Sequence, residues 1–237
     1  MKCLTKSYFR VAIIVVMLTT SSLFAVKYGN MEDSRDGKKY KTVKLGSQTW
    51  MAENLNIDMN FSWCYEDKIE NCKKYGQLYT WEQAMTACSN GWHLPDSTEW
   101  LELQNFVTIN KGSESVVTSL KFRSGWKMVR MQKSEIDERT GERYYLDSDE
   151  PLYGTDRFGF SALSAGIRVA KDGHFEKFTG LRELTWFWGA TESWCLPEVY
   201  GGRCISATSW NLGNSFYDPL LSTSPKGYAL SVRCIKD

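Results

Sequence analysis

Side chains that commonly catalyse reactions are scarce in this sequence. It contains two histidines: His93 lies in the run Trp92-His93-Leu94-Pro95, and His174 follows an Asp-Gly pair. Neither belongs to a sequence motif for metal, redox, acyl-transfer or nucleotide chemistry. We therefore expect His93 to make structural hydrogen bonds rather than to catalyse, and we expect His174 to be exposed. No cofactor is predicted.

Acidic residues leave a carboxylate-based reaction open. A glycosidase needs only two facing carboxylates, and the chain contains 28 aspartates and glutamates. Asp147, Asp149 and Glu150 lie close together before Pro151 and could bind a cation. A solvated, charged loop is the more frequent role of such a run. An enzyme is therefore an alternative rather than the favoured interpretation.

Aromatic residues give the clearer signal for binding. The chain has ten tryptophans, and its C-terminal part combines aromatic rings with amides and a carboxylate. Such a surface can stack against the apolar face of a sugar while its polar groups hydrogen-bond the hydroxyls. For any individual tryptophan, packing in the core is the more frequent role. The candidate ligand-binding residues are Trp186, Trp188, Trp194, Trp210, Asn211, Asn214, Tyr217 and Asp218.

The N-terminal residues predict export. Three basic residues precede an apolar run from Val11 to Ala25, which is typical of a secretory signal peptide and short for a membrane span. We predict a signal peptide at 1–25, a linker at 26–35 and one domain at 36–237, with an uncleaved anchor as the alternative. Removal of 1–25 leaves 26 of the 29 basic residues against 28 acidic ones. This balance gives no electrostatic reason to expect nucleic acid or an anionic membrane as partner.

Six of the seven cysteines follow this segment, an even number that predicts disulfides in an exported protein. Cys64 and Cys72 are close in sequence and predict one small loop. Cys195 and Cys204 flank a segment with proline and glycine and predict another. Cys88 then remains for Cys234, although six cysteines permit 15 connectivities. A bridge across so long a loop removes chain entropy worth on the order of 4–5 kcal/mol.

Two predicted helices within 79–103 must position the surrounding residues. Thr80 and Gln83 have the spacing of a capping box at the start of the first helix. Its apolar face is predicted to contain Trp81, Ala84, Met85 and Cys88. Asp96 and Glu99 predict a capping box for the second helix. The second helix is expected to bury Trp100, Leu103 and Val107.

Short strands complete the predicted fold. After a polar segment with a turn at Asp36-Gly37, residues 40–51 predict a hairpin that turns at Gly46-Ser47. The charged residues 127–150 form either an exposed insertion or a hairpin with Thr140-Gly141 at its tip. Further strands are expected within residues 158–163, 166–169, 184–188, 205–210 and 228–234, with an Asp-Gly hairpin turn at 172–173. The pattern predicts an α+β fold with a mostly antiparallel sheet.

Side-chain alternation defines the faces of two of these strands. Trp186 and Trp188 are predicted on one face of their strand and Phe187 on the other. In the last strand, one face is predicted to carry Tyr228, Leu230, Val232 and Cys234.

Several phrases of the sequence, taken in order, resemble one family of bacterial domains. They are GKKYKTVKLGSQTWMAENLN, SWCYEDKIENCKKYGQLYTWEQAMTAC, GWHLPDSTEW, LKFRSGW, GTDRFGFSALSAGIR and SVRCIKD. Over residues 36–237 the chain resembles the Fibrobacter succinogenes major paralogous domain. The resemblance implies a secreted or surface-exposed protein with a fold similar to C-type lectin-like and formylglycine-generating-enzyme domains. The implied fold has two early helices packed on short strands with long loops, and it is stabilised by disulfides.

The likeness to C-type lectins bears on one disulfide and on calcium binding. In that fold a cysteine on the first helix is similarly bridged to one on the last strand, which is the placement of Cys88 and Cys234. Its sugar-binding members hold calcium through an EPN loop and a WND strand, whereas here Trp210-Asn211 is followed by Leu212 and no EPN occurs. Calcium-dependent sugar binding is therefore not implied. Cys195 and Cys204 could mimic the reactive pair of formylglycine-generating enzymes, but an oxidising compartment favours a structural bridge.

The sequence thus favours a non-catalytic binding or interaction module, exported to the cell surface, the periplasm or the medium. Its expected partner is a glycan or a surface protein. The alternatives are an enzyme, either a carboxylate-based hydrolase or a divergent formylglycine-generating-type oxidase, and a structural component of the envelope. No nucleic-acid partner is predicted, nor membrane contact after removal of the signal. The oligomeric state is left open.

Overall fold

Two five-stranded sheets form the framework of the protein. The computed structural model describes residues 26–127, 131–136, 139–140, 143–148, 154–171, 174–213 and 220–237. The strands are β1 (Lys27–Glu32), β2 (Lys39–Leu45), β3 (Gln48–Met51), β4 (Ser62–Trp63), β5 (Leu78–Tyr79), β6 (Trp92–His93), β7 (Met131–Ile136), β8 (Arg143–Ser148), β9 (Ala165–Lys171), β10 (His174–Leu181), β11 (Thr185–Cys195), β12 (Cys204–Leu212), β13 (Leu220–Pro225) and β14 (Ile235–Lys236). The helices are α1 (Ile69–Tyr75), α2 (Trp81–Ala87), α3 (Ser97–Asn110) and α4 (Val116–Leu120), with 3-10 turns at Tyr65–Asp67 and Glu198–Tyr200.

The first sheet has the strand order β1-β2-β3-β14-β6, and the second has the order β10-β9-β11-β12-β13. Neighbouring strands are antiparallel except for β9 and β11, which meet in parallel. Two small two-stranded sheets, β4 with β5 and β7 with β8, lie outside these sheets. The prediction of mixed helices and mostly antiparallel strands is confirmed.

The second predicted helix forms as the sequence indicates. Asp96 caps α3 by accepting a hydrogen bond from the backbone N–H of Glu99, and the Glu99 carboxylate accepts one from the backbone N–H of Asp96. This satisfies backbone donors that the first turn leaves without a helical partner. The predicted inward face is fully buried: Trp100, Leu103 and Val107.

The first predicted helix is shorter and differently capped. Thr80 is the residue before α2, but its side chain makes no capping hydrogen bond, so the predicted capping box is wrong. Trp81, Ala84 and Ala87 are buried, whereas Met85 is 43% exposed. The helix has only seven residues, so one narrow row of buried side chains is enough to pack it against the rest of the domain.

Tryptophans form the centre of the first hydrophobic cluster. Trp100 stacks on Trp210, with ring centroids 4.7 Å apart, and meets Trp50 at 4.6 Å. Phe160 contacts all three rings edge-on. The side chains come from α3, β12, β3 and the loop that precedes β9, so this cluster joins the two sheets.

Strand β11 separates this cluster from a second one. Phe187 packs in the first cluster, while Trp186 and Trp188 belong to the second, as the predicted alternation requires. The last residues of the chain also show the predicted face, since Leu230, Val232 and Cys234 lie in the second cluster with Tyr228 against it.

Four local predictions are corrected by the structure. Strand β1 occupies residues that the sequence assigned to a polar linker, so the first strand comes earlier than predicted. Helices α1 and α4 were not predicted. Residues 158–163 contain a turn and one isolated bridge instead of a strand, because Gly159 and Ser161 have positive φ. Residues 229–231 form single bridges to Tyr79, Arg168 and Phe187 instead of one regular strand.

The predicted hairpins and disulfides are confirmed. Strands β2 and β3 pair around Gly46-Ser47, and β7 pairs with β8 in the charged segment. Strands β9 and β10 pair as well, although the Asp-Gly turn between them lies outside the described residues. The three bridges are Cys64–Cys72, Cys88–Cys234 and Cys195–Cys204.

Some predictions fall outside the part of the chain that the structure describes. They concern the signal peptide at 1–25 and the residues Asp149, Glu150, Asn214, Tyr217 and Asp218, as well as the side chains of Asp147 and His174. Within the described ranges, no helix has the length and apolar character needed to cross a membrane.

Candidate functional site

The aromatic residues predicted to bind a ligand do not form one surface. Trp188 and Trp210 are 0% exposed and pack in different clusters, so the prediction that they contact a ligand is wrong. The physical reason is that both faces of the second sheet are covered here, so side-chain alternation directs either face into a core. Trp186 and Asn211 are partly buried on neighbouring strands, where they are cross-strand partners.

Trp194 is the exposed member of the predicted set. It is 78% exposed and lies beside the Cys195–Cys204 bridge at the far end of β11. Other apolar side chains are exposed at the same tip: Leu196, Val199 and Ile205. The disulfide also leaves Cys195 and Cys204 without the free thiolate that the oxidase alternative requires.

A cleft of about 400 Å³ lies between the β1–β2 edge and the loop that precedes β9. We call it the Tyr28 cleft, and its lining residues are Tyr28, Gly29, Asn30, Lys41, Ala52, Phe122, Asp156 and Ser161. None of these belongs to the predicted candidate set. The cleft combines two aromatic side chains with an amide, an ammonium, a carboxylate and a hydroxyl.

The first wall of the Tyr28 cleft follows from strand register. Asn30 on β1 lies directly opposite Lys41 on β2, and Tyr28 lies two residues before Asn30. Alternation therefore places the three side chains on one face of the ladder. Tyr28 is 58% exposed, so its ring is available to a ligand. This wall arises from a segment with little apolar character, which is why the sequence did not reveal it.

The opposite wall is a tight turn held by Asp156. Its carboxylate accepts hydrogen bonds from the backbone N–H and the hydroxyl of Ser161, each at 2.7 Å. Asp156 and Ser161 both have positive φ, a conformation that non-glycine residues adopt only when surrounding contacts hold it. Between them, Gly159 lies against Tyr28, and a Cβ at this position would be 2.5 Å from the Tyr28 hydroxyl oxygen.

Arg233 fixes the turn relative to the residues on either side of Ala52, which also lines the cleft. Its fully buried guanidinium donates hydrogen bonds to the carbonyls of Phe160 and Ser161 on one side, at 2.7 and 3.0 Å. On the other side it donates to the Met51 carbonyl at 2.9 Å and to the Asn54 side chain at 2.6 Å. Burial lowers the pKa of Arg233 to about 9, which still leaves it charged at neutral pH. These buried hydrogen bonds hold the cleft in one conformation before a ligand binds.

The polar groups of the Tyr28 cleft are able to bind a ligand. Within the described ranges, the Asn30 amide and the Lys41 ammonium have no hydrogen-bond partner in the protein. Burial and the Asp156 carboxylate raise the pKa of Tyr28 above its ordinary value, so its hydroxyl stays protonated and can donate. Donors and acceptors therefore surround an aromatic surface.

The cleft offers non-covalent chemistry. Among the residues that the structure describes, no group of three or more histidine, cysteine, aspartate or glutamate side chains is arranged to hold a metal ion. The surrounding groups can stack, donate and accept, which are the interactions that position a hydroxyl-rich molecule.

His93 makes the structural hydrogen bonds that the sequence predicted. Its Nδ1 lies 2.6 Å from an Asp237 carboxylate oxygen, and its Nε2 lies 2.9 Å from Glu99. Partial burial lowers the pKa of His93, but the hydrogen bonds to the two carboxylates outweigh that effect and raise the pKa overall. The histidine joins the start of α3 to the end of the described chain.

A family model described as the Fibrobacter succinogenes major domain matches residues 43–236. The chain belongs to this family. No curated protein and no solved structure is a significant match to it. The Fibrobacter succinogenes major domain contains one wall of the Tyr28 cleft, with Phe122, Asp156 and Ser161. Tyr28, Asn30 and Lys41 precede the segment that the family model matches.

Proposed function

We propose that the protein is a non-catalytic carbohydrate-binding module that holds its ligand in the Tyr28 cleft. The observation that carries this proposal is the meeting of Tyr28 and Phe122, two part-exposed aromatic side chains, with the unpartnered polar groups of Asn30 and Lys41 within the described ranges. An apolar sugar face stacks on an aromatic ring, while neighbouring amides, hydroxyls and carboxylates hydrogen-bond the sugar hydroxyls.

The size and shape of the cleft support a small saccharide unit. Its volume of about 400 Å³ lies within the range of small-molecule sites, roughly 300–1,000 Å³. Since the cleft is open along one side, a polysaccharide chain can enter without threading an end. Rigid walls reduce the entropy that binding must overcome, which favours a measurable affinity from few contacts.

We also propose a C-type lectin-like fold and an exported location. The fold assignment is supported by the Cys88–Cys234 bridge, which joins the end of α2 to the last segment of the chain. Three disulfides support an oxidising compartment, reached through the predicted signal peptide at 1–25. The proposal places the domain at the cell surface, in the periplasm or in the medium.

Glycan binding by the purified, exported protein tests the proposal. A glycan array and pull-down on insoluble polysaccharides identify a ligand, and titration calorimetry then compares Tyr28→Ala and Asn30→Ala with the unaltered protein. We expect each change to weaken binding roughly tenfold, because a stacking or hydrogen-bonding partner is lost. Trp194→Ala is the matched control, since it removes an exposed ring outside the Tyr28 cleft.

The outcomes separate the alternatives. Retention of no glycan would overturn the proposal and leave a surface protein or an envelope role. Loss of binding in Trp194→Ala with unchanged binding in Tyr28→Ala would move the site to the β11–β12 tip. Release of shortened oligosaccharides from the bound glycan would favour the carboxylate-based hydrolase.

A further inference from the structure

We propose that the carbohydrate ligand is a polyanion, a polysaccharide that carries carboxylate or sulfate groups. This inference rests on the proposed function and adds the chemical class of the ligand. It comes from a second cleft, of about 230 Å³, that lies beside the Tyr28 cleft along β2 and has Lys38, Lys39, Lys73 and Lys74 in its lining. We call it the lysine cleft.

Strand register places the two clefts next to each other along one side. Lys41 lines the Tyr28 cleft and Lys39 lines the lysine cleft, and the two residues alternate onto the same face of β2. Across the ladder, Asn30 lies opposite Lys41 and Glu32 lies opposite Lys39. Side chains two residues apart on this face are about 7 Å apart along the strand, so a chain-like ligand is long enough to contact both clefts.

Two further segments of the chain contribute neighbouring residues to both clefts. Ala52 belongs to the Tyr28 cleft, and the next residue, Glu53, belongs to the lysine cleft. Ser161 lines the first cleft and Leu163 the second. Three separate segments of the chain thus contribute residues to both clefts, and we call the neighbouring pair the groove.

Lysines outnumber carboxylates in this groove, and three of the lysines are not ion-paired within the described residues, although the whole chain has a formal net charge of only +1. Lys38 pairs with Asp36 at 3.1 Å, and Lys39 pairs with Glu32 at 3.4 Å. In the described part of the chain, no carboxylate lies within ion-pair distance of Lys41, Lys73 or Lys74. These three ammonium groups are therefore available to an anionic ligand.

Two carboxylates also face the groove, and both are engaged by the protein. Glu53 accepts a hydrogen bond from the backbone N–H of Lys41 at 2.7 Å, and Asp156 accepts two from Ser161. With Asp36 and Glu32, four carboxylates lie beside the five lysines, and the ammonium groups of Lys41, Lys73 and Lys74 carry the positive charge that is not ion-paired in the part of the chain that the structure describes. Such a groove attracts a polyanion and holds it in register.

The position of Lys73 and Lys74 has a partial structural explanation. They lie in the last turn of α1, where cations stabilise the helix dipole. That effect does not account for Lys38, Lys39 and Lys41, which precede or occupy a strand. The convergence of lysines from two separate elements on one groove is better explained by an anionic ligand.

Helix α1 is held rigidly against the floor of the groove. The Asn54 amide donates a hydrogen bond to the Tyr75 carbonyl at 2.8 Å, and Cys72 is bridged to Cys64. Gly76 follows the helix so closely that a Cβ would be 2.7 Å from the Leu55 carbonyl oxygen. Lysines on a fixed helix lose less freedom on binding than lysines on a loop.

A sulfated or carboxylated polysaccharide fits this groove better than a nucleic acid. Arginine, which binds phosphate through two parallel hydrogen bonds, is absent from the described residues that line the two clefts. Lysine provides point charges that suit acidic groups spaced along a sugar chain. A nucleic acid, which could also stack on aromatic rings, is an outcome that the experiment distinguishes.

The experiment compares three ligands for the exported, disulfide-bonded protein. They are a neutral β-glucan oligomer, a polyuronate oligomer of the same length and a single-stranded oligonucleotide, each titrated over a series of NaCl concentrations. We expect the polyuronate to bind at least tenfold more tightly than the neutral oligomer at low salt, with an affinity that falls as salt rises. The neutral oligomer should show no such salt dependence.

Two charge reversals complete the test. Lys73→Glu is expected to lower polyuronate affinity roughly tenfold while leaving neutral-oligomer binding unchanged. Lys44→Glu is the matched control, because it also replaces one lysine by glutamate. Lys44 is exposed on β2, and its side chain alternates away from Lys39 and Lys41. We expect it to have little effect.

Each result is decisive for one of the two claims. Equal affinity for the neutral and acidic oligomers, or equal effects of Lys73→Glu and Lys44→Glu, would overturn this inference while the proposed function stands. Tighter binding of the oligonucleotide than of either sugar would also overturn it. Absence of binding to both sugars, together with retention of no glycan on the array, would instead overturn the proposed function.

Discussion

Arg233 donates a hydrogen bond from Nε to the Asn54 side-chain oxygen at 2.6 Å, and Asn54 in turn donates from its amide to the Tyr75 carbonyl at 2.8 Å. One buried cation thereby connects the last segment of the chain with the floor of the groove and with α1. Arg233 has no carboxylate within ion-pair distance in the described residues, and its charge is stabilised by hydrogen bonds to carbonyl and amide oxygens and by the rings of Phe160 and Phe187.

Replacement of Arg233 by methionine is expected to destabilise the protein by about 3–5 kcal/mol. Methionine fills much of the same space, but three buried carbonyls and the Asn54 oxygen lose their donor. Denaturation by guanidinium chloride measures the difference, with Arg203→Met, at an exposed position, as the control. A loss below about 1 kcal/mol would show that water replaces the guanidinium at these oxygens.

The three disulfides are expected to contribute unequally. Cys88–Cys234 closes a sequence separation of 146 residues and Cys64–Cys72 one of 8. In the chain-entropy model these loops correspond to about 5 and about 2.5 kcal/mol. We expect replacement of both cysteines of a pair by alanine to lower the melting temperature more for Cys88–Cys234 than for Cys64–Cys72. Thermal unfolding of the two double variants measures the difference. The reverse order would mean that structure in the unfolded state, rather than loop length, determines the effect.

Lys121 is expected to make stability depend on alkaline pH. The side chain is 1% exposed, its ammonium lies 4.3 Å from the Trp126 ring centroid, and burial lowers its pKa to about 8. Between about pH 8 and pH 10.5 the unfolded chain binds a proton that the folded chain does not. The free energy of unfolding therefore rises with pH across this window.

Substitution of Lys121 by methionine tests that linkage. At pH 7 the variant should be more stable by about 1–3 kcal/mol, because no charge is buried. Its advantage should shrink as the pH approaches 10. Lys111→Met, near the end of α3 and part-exposed, serves as the control. A constant difference between the Lys121 variant and the unaltered protein at all pH values would contradict the assignment.

Gly159→Ala is expected to weaken carbohydrate binding more than it weakens the fold. The added Cβ would lie 2.5 Å from the Tyr28 hydroxyl oxygen and would push the exposed ring out of the Tyr28 cleft. The positive φ costs about 1 kcal/mol of stability in addition. Gly37→Ala is the matched control, because Gly37 has φ +72° and a Cβ added there would have no atom within 4 Å.

The two variants should therefore lose similar stability, measured by thermal unfolding. Only Gly159→Ala should lose affinity, measured by calorimetry with the ligand found on the array. Unchanged affinity in Gly159→Ala would mean that Tyr28 does not contact the sugar.

Sequence predicted those features of the fold that depend on short-range spacing. Asp96 and Glu99 form the expected capping box, and Trp186, Phe187 and Trp188 alternate as expected. Thr80 shows the limit of this approach, because its spacing to Gln83 matches a capping box that does not form. Spacing places two side chains near each other, whereas tertiary packing decides which hydrogen bonds they make.

The candidate site could not be predicted in the same way. Strand β1 is exposed at five of its six positions, so it has no apolar alternation and is stabilised by its pairing with β2. Tyr28 and Phe122 meet only through the fold of the whole chain. Trp188 and Trp210, two of the predicted ligand contacts, are buried because each lies between two covered surfaces. Composition alone cannot distinguish such buried rings from an exposed aromatic surface.

The position of the last segment has a consequence for biogenesis. Ile235 pairs with both Trp50 and His93 in the middle of the first sheet, and residues 229–231 bridge to elements of the second. These residues emerge from the ribosome after every segment that they join. The first sheet therefore lacks β14, the strand between β3 and β6, until this last segment has been synthesised. Folding then proceeds through contacts of long sequence separation, which are slow to form.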